Sequence, residues 1–445
     1  MASWFPGGGG RGGGEPGPSD PAGPAGPAGG PLLQRAGSGP IRFPGIARRV
    51  GGGGGPLASP SGRPLPPRPP PPTAWVTRGP GSPTTTAGGG GSHAGELEGG
   101  AKARQRAKVT RLLDAPTVDL AQLRQACWGG VPPDLRPLCW QMLLGQLPPD
   151  STKWSHLSGA KRRRYRELMV RYDAAMANQG TPEEIALAHQ ISIDVPRTAT
   201  DLPLFSQGPV RHSLARILYL RAIHHPASGY VQGFNDIVTP FLATFLSRLM
   251  TGPMKAWNIS SVPADRLVEA ESDCFWCFCR FLETIEDYYI REQPGIRRCI
   301  AHLESLVGRI DAELHAHLRE HDVDYLHFAF RWLNCLLVRE LPFPLVLRLW
   351  DTYMAEAHKF ESFLVFMCVA LLLRFKDHLL PLDTQGLILF LQKLPTGDWD
   401  EAEVEVLLST AFMWQSVFSE TLQVGSTGQQ ISPLAGAHSG GSYIS

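Results

Sequence analysis

An excess of charge of either sign is missing from this sequence: 42 lysines and arginines stand against 41 aspartates and glutamates, a formal net charge of +1 over 445 residues. Nucleic-acid binders carry a clustered basic face and a high pI, so this balance argues against that class and no nucleic-acid partner is expected. Long apolar runs are missing as well. The run from Phe363 to Leu373 lies between Glu361 and Arg374, falls well short of the roughly 20 residues that cross a bilayer, and reads as a buried helix. The opening "ASWFPGGGG" after Met1 lacks the continuous apolar core of a secretory signal, which points to the cytosol and to reduced thiols. The eight cysteines form no regular disulfide spacing. "CFWCFC" brings Cys274, Cys277 and Cys279 together, but a structural zinc site needs a second ligand pair downstream, and Cys299, Cys335 and Cys368 stand singly. Packing of small apolar side chains is the expectation there, with no metal. No stretch matches G-x-x-x-x-G-K-[ST] or G-x-S-x-G, so the chain is expected to have neither a phosphate cradle nor a serine elbow of its own.

Glycine and proline are abundant, 48 and 40 residues, and they crowd the first hundred positions together with Ala, Ser and Arg. So few large hydrophobes cannot offset chain entropy, and this arm is expected to be disordered. "PAGPAGPAGG" has the triplet period of collagen for too short a run to form a triple helix. Two stretches of the arm suit partners. "RPLPPRP", Arg63 to Pro69, has the basic residue and paired prolines that an SH3 groove takes as a preformed polyproline helix. "RAGSGP" sets Arg35 and Pro40 around Ser38, the pattern that 14-3-3 proteins bind once the serine is phosphorylated. A solvated tail is the plain alternative for both.

Around Ala101 the composition turns charged and helical. From there to about Phe418 apolar residues recur at three- and four-residue spacing, as in "HSLARILYLRAI", "YLHFAFRWLNCLLVREL" and "LVLRLWDTYM". Prolines 132, 133, 226, 294 and 342 would cut the region into helices of ordinary length, and convincing strand alternation is absent. The fold class is therefore all-α, closed by a polar tail from about Glu420.

"ISIDVPRT", residues 191–198, narrows its own backbone. Val195 precedes Pro196 and is biased towards an extended conformation, while the ring fixes the φ of Pro196 and removes a donor. Asp194 can accept from nearby backbone N–H groups and brace the turn. Two readings of Arg197 follow: a guanidinium presented on a stiff loop, or a buried arginine paired with a carboxylate. In "HPASGYVQGFND", Pro226 and Gly229 mark a break between helices, which sets Gln232 near the start of the next; presentation and satisfaction of the helix end are both open to it.

The sequence resembles the TBC-domain family of Rab GTPase-activating proteins, whose signature motifs appear in order. "RPLCWQMLLG" fits R-x-x-x-W-x-x-L-L-G through Arg136, Trp140, Leu143, Leu144 and Gly145; "ISIDVPRT" fits I-x-x-D-x-x-R through Ile191, Asp194 and Arg197; "YVQG" fits Y-x-Q through Tyr230 and Gln232. With "HPASGYVQG", "FAFRW" and "RLWDTY" the likeness is to the member 22 branch of that family, over Cys127 to Phe418. It implies a multi-helix TBC domain at 127–418; composition, outside the reach of the resemblance, sets a disordered arm at 1–100, a helical lead-in at 101–126 and a polar tail at 419–445.

The resemblance further implies that Arg197 and Gln232 are catalytic fingers delivered in trans to a Rab GTPase, the arginine to the transferring phosphoryl group and the glutamine to the attacking water. GTP and Mg would be held by the partner, and the chain would need no cofactor of its own. An adaptor that gathers partners through the helices and the proline-rich arm is the rival from another class. Asp194 would organise the arginine loop, Tyr230 and Asn235 would border the interface, and Arg136 with Trp140, at helical i, i+4 spacing, would be scaffold. Localisation is expected to be cytoplasmic with peripheral association with organelle membranes, the Golgi among them. Plain readings are expected for three other features. His317 and His321 would lie on a solvated helix face, His224-His225 at a helix end where a cation suits the dipole, and "KRRRYRELMVRY" from Lys161 on a solvated basic face, with membrane binding as its alternative.

Overall fold

Helix starts are written into the chain by capping residues and by prolines in first turns, where a missing N–H costs nothing. The structure, a computed structural model, describes residues 91–356 and 359–426, with side chains from 100 to 356 and from 359 to 418. Ser38, the Arg63–Pro69 segment and the rest of the Gly/Pro-rich arm up to residue 90 lie outside the described residues. In order the helices are α1 Gly91–Leu113, α2 Leu120–Trp128, α3 Arg136–Leu143, α4 Trp154–Met176, α5 Pro182–Asp194, α6 Pro203–Ser206, α7 Gly208–His224, α8 Phe234–Leu246 and α9 Ala264–Glu283. They continue as α10 Pro294–Ile310, α11 Ala312–Glu320, α12 Leu326–Asn334, α13 Phe343–Ala355, α14 Phe360–Arg374, α15 Lys376–Leu379, α16 Thr384–Gln392 and α17 Glu401–Ser426. Among the described residues an isolated bridge between Thr117 and Asp150 is the sole β pairing. The all-helical expectation holds.

The cap chemistry is explicit at α5, where Thr181 Oγ1 accepts from the Glu184 N–H at 3.2 Å and Glu184 returns a bond to the Thr181 N–H at 3.1 Å. Asp119 caps α2, Asp311 caps α11 and Asp383 caps α16 in the simpler one-way manner. Pro294 opens α10 and Pro342 precedes α13. Inside α8, Pro240 cannot donate to the carbonyl of Asp236, one turn back. The Thr239 hydroxyl donates to that carbonyl instead, at 2.7 Å, which lets the helix run on through the proline.

The core is built around helices that are apolar on every side. In α14 every residue from Phe363 to Leu372 is buried, so the run flagged in the sequence is an internal helix, packed against α10 and α17. α8 is buried along nearly its whole length against α9. Between α3, α8, α9 and α13 lies an aromatic cluster in which Trp140, Phe241, Phe281 and Trp350 stand with ring centroids 5.3–6.3 Å apart. Cys274, Cys277 and Cys279 are buried in α9, their thiols pushed up by burial.

Buried charge is paired across the core. Glu271 of α9 binds Arg216 of α7 through both carboxylate oxygens and also takes the Tyr165 hydroxyl of α4. In the basic stretch of α4 the first two charges point inward: Lys161 donates to the Gln146 carbonyl at 2.6 Å, and Arg162 forks onto Asp273 at 2.7 and 3.1 Å. Arg163, Arg164 and Arg166 remain on the exposed face. No described helix is long and apolar enough to cross a membrane.

One expectation about histidines is corrected, and another, the helix end at His224-His225, holds in position. His317 and His321 do not sit on a solvated face. His317 Nε2 is 3.2 Å from the carbonyls of both Leu379 and Leu382, and His321 Nδ1 is 3.3 Å from Thr384 Oγ1, so the pair fastens α11 to the chain around α15 and α16. His225 caps the end of α7, yet burial and the neighbouring Arg221 push its pKa down, away from the cation that a helix dipole would favour.

Candidate functional site

Helix α5 delivers the arginine. Ala188, Ile191 and Val195 lie on its buried side, and the helix runs without a gap into a tight turn at Val195–Arg197. Val195 is not extended, as its place before proline suggested, but right-handed at φ −56°, ψ −45°. Its side chain is anchored in the core, its N–H reaches the Ile191 carbonyl, and the Thr198 N–H reaches its own carbonyl at 3.2 Å. Those contacts outweigh the steric bias that Pro196 imposes. Ala199 follows at φ +44°, a strained conformation for a side-chain-bearing residue.

Asp194 supports this turn differently from expectation. It makes no side-chain bond to the turn's backbone; its Oδ2 accepts from the Tyr230 hydroxyl at 2.9 Å, tying the second motif to the third. Burial, with Asp194 beside it, pushes the Tyr230 pKa upward, so the phenol keeps the proton it donates. The Asp194 carbonyl takes the Thr198 hydroxyl at 3.0 Å. Asn235, expected at the rim, is buried: its Nδ2 donates to Thr198 Oγ1 at 3.0 Å and its Oδ1 accepts from the Gly233 N–H at 3.1 Å.

Gln232 stands two residues before α8. Gly233, at φ +111°, begins the helix in a conformation open to glycine. Behind the loop, buried Arg221 donates to Ser228 Oγ at 3.1 Å and lies 5.4 Å from the Phe234 ring centroid, its pKa lowered by burial. At the other side Asp236 has Arg339 Nε 4.0 Å away; burial, opposed by Arg339, raises the Asp236 carboxyl.

The outcome is an asymmetry between backbone and end groups. The segments carrying Arg197 and Gln232 are cross-braced by Asp194–Tyr230 and by Thr198–Asn235. Both end groups are exposed, and neither the Arg197 guanidinium nor the Gln232 carboxamide has a hydrogen-bond or ion-pair partner among the described residues. Arg197 is thus not the buried, carboxylate-paired arginine that its sequence left open.

Arg136 and Trp140 lie elsewhere, at the aromatic core. Both bind Asp351 of α13: Arg136 through Nε at 2.8 Å and Nη2 at 2.9 Å, Trp140 through Nε1 at 2.9 Å, while the Val131 N–H adds 2.8 Å. Asp351 is fully buried, and sequence reasoning passed over it. Its signal was a lone carboxylate between Trp350 and Tyr353 in a largely apolar helix, since a buried charge implies a partner.

Arg197 and Gln232 thus stand out, unpaired, from cross-braced segments of an all-helical scaffold. The Rab-GTPase-TBC domain family is matched over residues 133–380, and this chain belongs to it. It is 40% identical over 327 residues to the GTPase-activating protein gyp1 of Schizosaccharomyces pombe, covering 72% of this chain and 63% of that protein. It is 40% identical over 314 residues to human TBC1 domain family member 22B, covering 70% of this chain and 62% of the relative. The chain thus spans less than two thirds of the length of these curated relatives. The member 22 branch suggested by the sequence is represented among them. A crystal structure of the Ypt/Rab-GAP domain of Gyp1p superposes with a TM-score of 0.67 at 41% identity, covering 71% of this chain and 99% of that one.

Proposed function

We propose that this chain accelerates GTP hydrolysis on a Rab-family small GTPase by supplying Arg197 and Gln232 to the partner's nucleotide site. The observation that carries the reading is the pairing of exposed, unbonded end groups with braced backbones. Charge builds on the transferring phosphoryl group, and an arginine is always protonated and presents donors in a planar fork that matches phosphate oxygens. A carboxamide both donates and accepts, which suits Gln232 to holding the attacking water. Because the backbones are braced, little of the ordering cost falls on the encounter. The relatives' names, which include GTPase-activating protein, support the same reading. In it the chain needs no nucleotide site of its own, and its work belongs at organelle membranes, the Golgi among them.

The test is phosphate release from a panel of GTP-loaded Rab proteins mixed with the purified chain. Acceleration of at least one is expected, and Arg197→Ala should remove about 10³–10⁵ of it, roughly 4–7 kcal/mol of barrier. A panel without any acceleration, or an Arg197→Ala chain of full activity, would refute the proposal.

A further inference from the structure

One peptide plane beside Gln232 is gripped at both ends. The Gln232 carbonyl accepts from Asn334 Nδ2 at 3.1 Å, and the Gly233 N–H, at the other end of the same peptide, donates to Asn235 Oδ1 at 3.1 Å. A peptide unit is planar, so holding both polar ends fixes its orientation and narrows the direction in which the Gln232 side chain leaves. The fit is close. A Cβ on Gly233 would come within 2.5 Å of Asn334 Nδ2.

Asn334 is itself held at the end of α12, where its carbonyl takes the Tyr289 hydroxyl at 3.1 Å. Its side-chain oxygen is buried without a partner, a cost that an apolar residue of similar size would not carry. Asn235 uses both ends of its carboxamide, and through Thr198 Oγ1 it reaches the Asp194 carbonyl at the root of the arginine turn.

We infer that these side chains are positioning residues with separate duties, an inference that rests on the activating reading above. Asn334 aims Gln232 alone. Asn235 and Thr198 tie the glutamine segment to the arginine turn, so that the two end groups arrive together. None of the three touches the reacting atoms.

The experiment uses the Rab on which the wild-type chain acts fastest, bound either to a GTP analogue or to GDP with aluminium fluoride, a mimic of the transferring phosphoryl group. Asn334→Asp keeps the size but turns an acceptor towards the Gln232 carbonyl; Thr198→Val keeps the shape and removes the hydroxyl. Each should lower kcat by about 10- to 100-fold, the scale on which small misplacements act. KM and affinity for the GTP-analogue form should stay within about twofold while affinity for the aluminium fluoride form falls, since the contact is made only near the transition state.

Double variants read on the aluminium fluoride form separate the duties. Asn334→Asp should lose its effect when combined with Gln232→Ala and keep it with Arg197→Ala, whereas Thr198→Val should lose its effect in either background. Asn334→Ser serves as a second variant should Asn334→Asp melt early, with the same pattern expected. Full multiplicativity of Asn334→Asp with Gln232→Ala, or equal weakening of both Rab forms by folded variants, overturns the inference. Should Gln232→Ala or Arg197→Ala keep the wild-type rate, the activating reading itself fails and this inference falls with it.

Discussion

The Arg197 guanidinium has no partner in the free chain, so its replacement leaves no internal bond unmade. Arg197→Lys should therefore leave the melting temperature unchanged within error while losing most of the rate that Arg197→Ala loses, because an ammonium cannot reproduce the fork. Retention of more than about a tenth of the activating effect by the lysine variant would contradict the argued role. Asp351 is the opposite case. Asp351→Ala strands the Arg136 charge and the Trp140 and Val131 N–H groups together. A loss of about 3–5 kcal/mol is expected in urea unfolding, the usual result of breaking a buried ion pair. The contrast shows what a linear reading reveals. Motif order singled out Arg197 and Gln232, and both prove exposed and unpaired among the described residues. The inward bond of Asp194, the helical Val195 and the Asp351 hub were not legible, because each depends on a partner brought close by the fold.

At the scale of elements, local grammar carried most of the information. Prolines and capping residues marked helix starts, and the apolar run at Phe363–Leu373 identified a buried helix before any contact was known. Hydrogen bonds between elements escaped that grammar, as the histidines of α11 show. The packing of α10 against α14 offers a pH test. His302 on α10 is half-buried with its ring edge-on to Phe366 at 6.1 Å, and burial lowers its pKa. Below its ordinary value near 6.5 the unfolded chain takes up a proton that the folded chain refuses, so acidification through that value favours unfolding. The drop in urea midpoint between about pH 7.5 and 5.5 should consequently be smaller in His302→Gln than in wild type. An equal or larger drop would show that His302 is freely protonated in the folded chain.

Across the whole molecule, the architecture depends on pieces far apart in sequence. The hub at Asp351 gathers Val131, Arg136 and Trp140, and α17 lies beyond the family match that ends at residue 380. That helix buries Val404, Leu407, Leu408 and Ala411, and its Glu405 takes a forked bond from Arg348 at 2.6 and 3.0 Å. Each large aliphatic side chain contributes about 1.5–3 kcal/mol, against a typical total near 5–15 kcal/mol. A chain ending at residue 380 is expected to aggregate or to melt without cooperativity, while one ending at 426 should keep a sharp transition. Equal melting of the two would show that α17 is dispensable.

The bare guanidinium of Arg197 also bears on how a complex would end. Alone in solvent it keeps its hydration shell; docked, it would surrender that water in return for the anionic phosphoryl group. Once phosphate departs, a dehydrated cation is left facing a depleted counter-charge, a situation that favours rehydration and separation. Turnover and release would then share one cause, and the chain should dissociate faster from the GDP form of its partner than from the GDP form carrying aluminium fluoride.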